Sequence, residues 1–295
     1  MSKNALTVGW IGTGVMGNSM CKHLMQAGYA AFVYNRTRVK TAELEALGAT
    51  VCASPAEVAA KSDILFTIVG FPADVEEVIL GENGVLRNAR EGAIIVDMTT
   101  STPSLAKRIA REAAANGMQA LDAPVSGGDL GAKEGTLAIM VGGEQAPYDA
   151  VYPLFEIMGK NIQLMGGAGA GQHCKMSNQI LIAGTMIGTV ESLLYAAKAG
   201  MDLDQVIDLI GSGAAGSWSI NNLGRRIAKG DFAPGFFIKH FVKDMGIALE
   251  EAAAMNLSLP GLAMANQFYV AAKAQGLEDL GTQGLYKVFA AMNAL

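Results

Sequence analysis

The sequence predicts an α/β N-terminal domain followed by an all-α C-terminal domain, with a glycine-rich hinge leading into a long helix at the boundary. Three observations carry this. Short apolar runs alternate with amphipathic stretches through the first half. A glycine-rich segment, 166–171, then interrupts the rhythm. From Gln172 onward only helical spacing remains. Apolar strands separated by helices imply βαβ units and a parallel sheet covered on both faces.

The expected strands are 6–11, 31–34, 64–69, 93–97, 119–121 and 137–141, with 161–164 as a further run that could close the sheet. Helical spacing marks 15–27 and 105–116 between them, and 175–199, 203–212, 220–229, 238–255 and 260–275 afterwards. The expected boundary lies near residue 165, giving domains 1–165 and 166–295.

Composition bounds the function. The chain has 295 residues, enough for two cores, with 51% hydrophobic and 17% charged residues. A net charge of -5 gives no basic field for nucleic acid or an anionic membrane, so a small-molecule substrate is expected. Cys21, Cys52 and Cys174 have no CxxC spacing, and His23, His173 and His240 no paired spacing, so no metal site is expected. The apolar runs near the N-terminus and at 180–190 are short, which predicts a cytoplasmic protein.

The strand 6–11 runs into Gly12-Thr13-Gly14-Val15-Met16-Gly17 and then a helix. A bare GxGxxG is weak, but this context makes it a Rossmann dinucleotide fingerprint. Gly12 permits the turn, Gly14 admits a pyrophosphate, and Gly17 lets helix and strand pack. The helix start offers free N–H groups and a positive dipole end. The second strand ends in Tyr34-Asn35-Arg36-Thr37-Arg38, where an NAD site places a carboxylate. Guanidinium and hydroxyl groups suit a 2′-phosphate, so NADP is expected rather than NAD. Arg36, nearest the strand end, is the chosen contact; both arginines could instead be solvated loop charges. Val69 and Gly70, and Thr100 after the strand 93–97, lie at further strand ends facing the same crevice.

Two segments carry chemistry. Asp122-Ala-Pro-Val-Ser126-Gly127-Gly128 offers a hydroxyl and exposed N–H groups, suited to a small carboxylate or simply to a turn. Lys175 and Asn178 lie three apart on an otherwise apolar helix and so share a face. A desolvated lysine suits proton transfer to a carbonyl receiving hydride, whereas one at a helix start can also snorkel.

Together with Lys243-Asp244, these motifs resemble the β-hydroxyacid dehydrogenases over essentially the full chain. That family includes 3-hydroxyisobutyrate dehydrogenases, tartronate semialdehyde reductases and glyoxylate/succinic semialdehyde reductases. The resemblance implies Lys175 as catalytic acid/base, and Ser126, Gly127 and Gly128 at the substrate carboxylate. It places Asn178 at the substrate and Lys243 at the nicotinamide end, and implies a long interdomain helix joining the two domains and a homodimer or homotetramer. The expected activity is hydride transfer between NADP(H) and a small 3-hydroxy acid or aldehyde-acid; the alternative is a non-catalytic NADP-binding scaffold or sensor. The segment from Gly213 to Ser219, with Trp218, follows neither subfamily pattern and leaves the substrate open.

Overall fold

The computed structural model describes residues 6–294. Two compact units divide between Lys175 and Met176, inside a helix and beyond the boundary expected at 165.

In the first unit the chain runs β1 (Thr7–Ile11), α1 (Val15–Gln26), β2 (Ala30–Tyr34), α2 (Ala42–Ala46), β3 (Thr50–Val51), α3 (Pro55–Lys61), β4 (Ile64–Thr67), α4 (Pro72–Leu80), β5 (Ile94–Asp97) and α5 (Pro103–Ala115). It continues with β6 (Gln119–Asp122), β7 (Val125–Ser126), α6 (Gly128–Glu134), β8 (Leu137–Gly142), α7 (Gln145–Met158) and β9 (Gly159–Gly166). The strand order is β3-β2-β1-β4-β5-β6-β8-β7, with β9 on β8. The first six strands are parallel and carry the order expected of a Rossmann sheet.

Period-two alternation divides the core. Trp10, Phe66 and Val96 face α1 and α7, whose Leu24 and Phe155 complete one cluster. Ile11, Leu65 and Ile95 face α3, α4 and α5 through Val58, Val75 and Ile109. Trp10 stacks on Phe66 at 5.2 Å between ring centroids. Both faces of β4 and β5 are buried along their whole length.

The fully parallel expectation fails at one edge. Both β6 and β7 pair antiparallel with β8. The only helix between β7 and β8 is the seven-residue α6, too short for the usual crossover that brings a chain back parallel. Two strands of two residues, β3 and β7, carry no periodicity of their own and were not expected. The run at 161–164 belongs to β9, which pairs parallel with β8.

The second unit is helical among the described residues, apart from one isolated bridge between Phe237 and Gly281. The helix α8 (Ala170–Lys198) begins in the first unit and continues into the second. It is followed by α9 (Leu203–Ile210), α10 (Arg225–Ala228), α11 (Ile238–Ala254), α12 (Pro260–Ala274) and α13 (Leu285–Met292). At 29 residues α8 satisfies a bilayer crossing by length and composition alone, so the short run at 180–190 does not itself exclude one. Its Ala183, Met186, Val190 and Leu193 instead enter the core with Phe241 of α11 and Tyr269 of α12.

Each buried strand of the sheet can place polar groups only at its end. Asp97 closes β5, accepting at Oδ1 from Thr67 Oγ1 at 2.8 Å and from Thr99 N at 3.1 Å. Burial pushes its carboxyl from 3.8 up to about 6, opposed by those bonds and aided by neighbouring Asp122. A folded-state value above the unfolded one means the folded protein binds this proton more tightly. The contribution is therefore fully present below about pH 4 and lost as pH rises through about 6. Its size is about 3 kcal/mol. Asp97→Asn keeps an oxygen for Thr67 and Thr99, so its stability relative to the parent should rise between about pH 4 and pH 7. Urea unfolding at the two pH values measures this, and a constant difference would remove Asp97 as the titrating group.

Candidate active site

Strand order reverses between β1 and β4, and the glycine turn follows β1 at that switch point. Gly12 sits at φ +101°, donates its N–H to Tyr34 O at 2.9 Å, and accepts from Trp10 Nε1 at 3.0 Å. A Cβ on Gly12 would collide with the Ile68 carbonyl, and one on Gly17 with the Gly12 carbonyl. Gly14 differs: a Cβ there meets nothing within 4 Å, and its φ of -71° is open to any residue. The space before Gly14 is not required by the protein's own packing. The first turn of α1 carries neither a side-chain cap nor an acidic residue, leaving its amides for an anion. Val15 is exposed and Met16 half-buried beside it. The turn therefore fits the pyrophosphate of a dinucleotide.

The end of β2 braces this turn. Thr13 is buried, donating its N–H to Asn35 Oδ1 at 3.1 Å and its hydroxyl to Lys40 O at 2.9 Å. Asn35 Nδ2 donates to Thr37 O, so both ends of that side chain are engaged inside the loop. Arg36 pairs with Asp74 at 3.0 Å while remaining 80% exposed. Arg38 is forked onto Glu45. Of the two arginines, Arg36 faces the start of α4, where Asp74 also accepts from Phe71 N. After β4, Val69 N donates to Thr99 Oγ1, so it is Thr99 that ties the two loops together; Gly70 and Thr100 lie half-buried alongside.

Lys175 lies in the second turn of α8, 6% exposed, and donates from Nζ to Val125 O at 2.8 Å. Val125 and Ser126 form β7, which leads into Gly127 (φ +132°) and Gly128 (φ +64°). Those positive φ values require glycine, and a Cβ on Gly128 would meet nothing within 4 Å. The structure thus brings Lys175 to the segment expected to hold a carboxylate, through a contact 50 residues apart in sequence.

Two further residues were not anticipated. Asp122 accepts from Gly169 N at 2.7 Å and from Gln172 N at 2.8 Å. Gln172 donates from Nε2 to Thr99 O at 2.7 Å and accepts from Ser101 N at 3.0 Å. Burial pushes the Asp122 carboxyl up, and the amides of Gly169 and Gln172 draw it back. Asp122 stood inside a noted motif, but its partners lie too far away in sequence to be read locally.

In the second unit, Asn178 Nδ2 donates to Gln179 Oε1 at 2.8 Å, and Gln179 Nε2 donates to Asp244 Oδ2 at 2.6 Å. Lys243 Nζ stands 3.1 Å from Asp244 Oδ1. Gln179 and Asp244 are buried, so the Lys243-Asp244 pair and Asn178 belong to one polar chain. Trp218 is 62% exposed; Ser217 Oγ accepts from Ile220 N and caps the turn that follows. That turn, Ser219–Gly224, is π-helical, where an ordinary helix over 220–229 was expected. No group of His, Cys, Asp and Glu suited to a metal ion occurs among the described residues.

A Rossmann sheet with an open glycine turn defines a dinucleotide-binding scaffold. Residues 7–167 match the family described as the NAD binding domain of 6-phosphogluconate dehydrogenase. Residues 169–289 match the NAD-binding domain of NADP-dependent 3-hydroxyisobutyrate dehydrogenase. The chain is 53% identical over 287 residues to the probable 3-hydroxyisobutyrate dehydrogenase-like 1, mitochondrial, of Arabidopsis thaliana, covering 97% of this chain and 86% of that one. It is 41% identical to the 2-hydroxy-3-oxopropionate reductase of Escherichia coli, covering 97% and 98% of the two chains. The 3-hydroxyisobutyrate dehydrogenase of Mycobacterium tuberculosis, solved with L-serine, superposes with a TM-score of 0.87 at 29% identity, covering 96% and 99%. The chain belongs to the β-hydroxyacid dehydrogenase family and is an NAD(P)-dependent hydroxyacid dehydrogenase.

The glycine geometry separates packing from ligand binding. Gly17→Ala should lower stability by about 1–3 kcal/mol, because backbone must shift to admit the methyl group. Gly14→Ala should leave the melting temperature of the cofactor-free protein unchanged while weakening cofactor binding about tenfold, or about 1.4 kcal/mol. Thermal melts and fluorescence titration read the two effects. Equal destabilisation by both substitutions would contradict the assignment of Gly14 to the ligand.

Proposed function

We propose that this enzyme transfers hydride between NADP(H) and a small aldehyde-acid or its 3-hydroxy acid, with Lys175 as the general acid/base. The observation that carries the reading is the buried Lys175 Nζ directed at Val125 O, beside the Ser126-Gly127-Gly128 turn. When bound, the nicotinamide supplies or takes up the hydride. Negative charge gathers on the carbonyl oxygen as its carbon is reduced, and Lys175 Nζ donates a proton there. Because Val125 O is a neutral acceptor, it can hold Nζ before and after that transfer. The Ser126 hydroxyl and the backbone at Gly127 and Gly128 hold the substrate carboxylate. Asn178 and Lys243 keep the substrate and nicotinamide roles that the family resemblance implies.

For the cofactor, the reading of NADP rests on Arg36, exposed beside α4, and on the absence of Asp or Glu from 34–38. The family description naming NADP-dependent enzymes supports it. The three cysteines are unpaired, which supports a reducing, cytoplasmic setting.

Initial rates at 340 nm with glyoxylate, succinic semialdehyde, methylmalonate semialdehyde and tartronate semialdehyde test the reading, each with NADPH and NADH. Turnover of at least one aldehyde is expected, with NADPH preferred. Lys175→Ala should lower kcat by at least about a hundredfold with cofactor affinity nearly intact. Arg36→Ala should weaken NADPH by about 1.5–3 kcal/mol and leave NADH unchanged. No turnover alongside tight NADPH binding would favour the scaffold reading, and equal losses for both cofactors in Arg36→Ala would remove the NADP argument.

We also propose that the chain assembles with itself through α8. Leu181, Gly184, Gly188 and Tyr195 are exposed and share one helical face. A Cβ on either glycine meets nothing within 4 Å, so neither is required by the chain's own packing. Glycines between large apolar residues let a second helix approach closely. Light scattering should give a dimer or tetramer of the 30.7 kDa chain. Gly188→Arg should shift it toward the monomer; a monomeric parent would sink the proposal.

A further inference from the structure

The start of α8 converges on one side chain from another strand. Asp122 Oδ1 accepts from Gly169 N and its Oδ2 from Gln172 N, so the first turn of the helix is capped by a carboxylate across a gap of 47 to 50 residues. The approach is close enough to dictate glycine at two places. A Cβ at Gly142 would fall 2.5 Å from Asp122 Oδ1, and one at Gly171 would fall 2.6 Å from Asp122 O and 2.9 Å from Oδ2.

The segment that supplies the carboxylate is itself pinned. Ala123 N donates to Asp97 O at 2.7 Å, Pro124 O accepts from Met140 N at 3.0 Å, and Val125 pairs with Ile139 of β8. Three residues beyond Asp122, the same segment presents the carbonyl that receives Lys175 Nζ. Helix start and lysine tip are thus both referred to residues 122–125. Gln172 adds a third tie, bridging Thr99 O and Ser101 N from the neighbouring loop.

We propose that Asp122 is a positioning residue for Lys175, fixing the axial place and rotation of α8 so that Nζ meets the reacting oxygen. The proposal rests on the assignment of Lys175 as proton donor. A capping role of this kind acts on kcat. The amides it holds are those of the lysine's own helix, while the glycine turn that fits the cofactor lies on α1.

The test uses the full chain and the aldehyde turned over fastest with NADPH. It compares the parent with Lys175→Ala, Asp122→Ala, Asp122→Asn and Ser54→Ala. Ser54 caps α3 by accepting from Glu57 N and serves as a control for loss of a cap elsewhere. Asp122→Ala should lower kcat on the order of a hundredfold, the loss expected from a misplacement of about 1 Å. KM and the NADPH dissociation constant should stay within about threefold. Asp122→Asn keeps one oxygen acceptor and should recover about tenfold of that loss; if the alanine variant fails to fold, it carries the comparison against the parent. Ser54→Ala should lose melting temperature with kcat unchanged. Asp122→Ala retaining kcat within about threefold overturns the inference. So does a loss of kcat matched by equal loss of NADPH affinity, or an asparagine variant no more active than alanine. Full activity of Lys175→Ala instead overturns the reading on which the inference rests.

Discussion

Burial of the sheet on both faces is the constraint from which the rest follows. β4 and β5 expose no residue along their length, so their backbone bonds are satisfied within the sheet and their side chains are nearly all apolar. Polar chemistry is left to the carboxyl ends, where the ladder stops and the chain turns. Asp97, Thr99 and Asp122 stand there, with the Gly12 turn two strands away. The helix whose start contacts those ends is tied to them by hydrogen bonds from Gly169 N, Gln172 N and Gln172 Nε2.

Such an arrangement calls for donors to the carboxylates it buries. Asp97 and Asp122 are register partners on adjacent strands, 5% and 4% exposed. Two carboxylates so close would repel, and burial raises both. They are tolerated through different donors: Asp97 takes Thr67 and the Thr99 amide, and Asp122 takes amides at the start of α8. The helix end that needs an anion and the carboxylate that needs donors meet each other's requirement.

What was legible in the sequence was local. The Gly12–Gly17 fingerprint, the apolar strands and the lysine three residues before Asn178 all express spacing within one element. The antiparallel return of β8 was not legible, since direction depends on how the intervening chain folds and β7 has only two residues. Nor was the start of α8. Its glycines resemble a hinge, yet Ala170 and Gly171 are already helical, and a side chain at Gly171 would strike the Met140 carbonyl and Asp122. A glycine required by close approach and one required by flexibility look alike until the neighbour is known. Asp122 and Gln172 escaped for the same reason, their partners lying 47 to 73 residues away.

Lys175 and Lys243 each reach an acceptor of a different kind. Lys243 faces the carboxylate of Asp244, itself held by Gln179. Lys175 donates to the carbonyl of Val125, which carries no formal charge and accepts equally from an ammonium or an amine. The acid/base role proposed above for Lys175 is favoured by the second kind of partner, because a neutral oxygen accepts from the side chain whether or not it carries the extra proton. That carbonyl belongs to a β7 residue paired to β8 and follows directly from the end of β6. The sheet that keeps polar groups to its rim therefore also supplies the carbonyl that holds the Lys175 side chain.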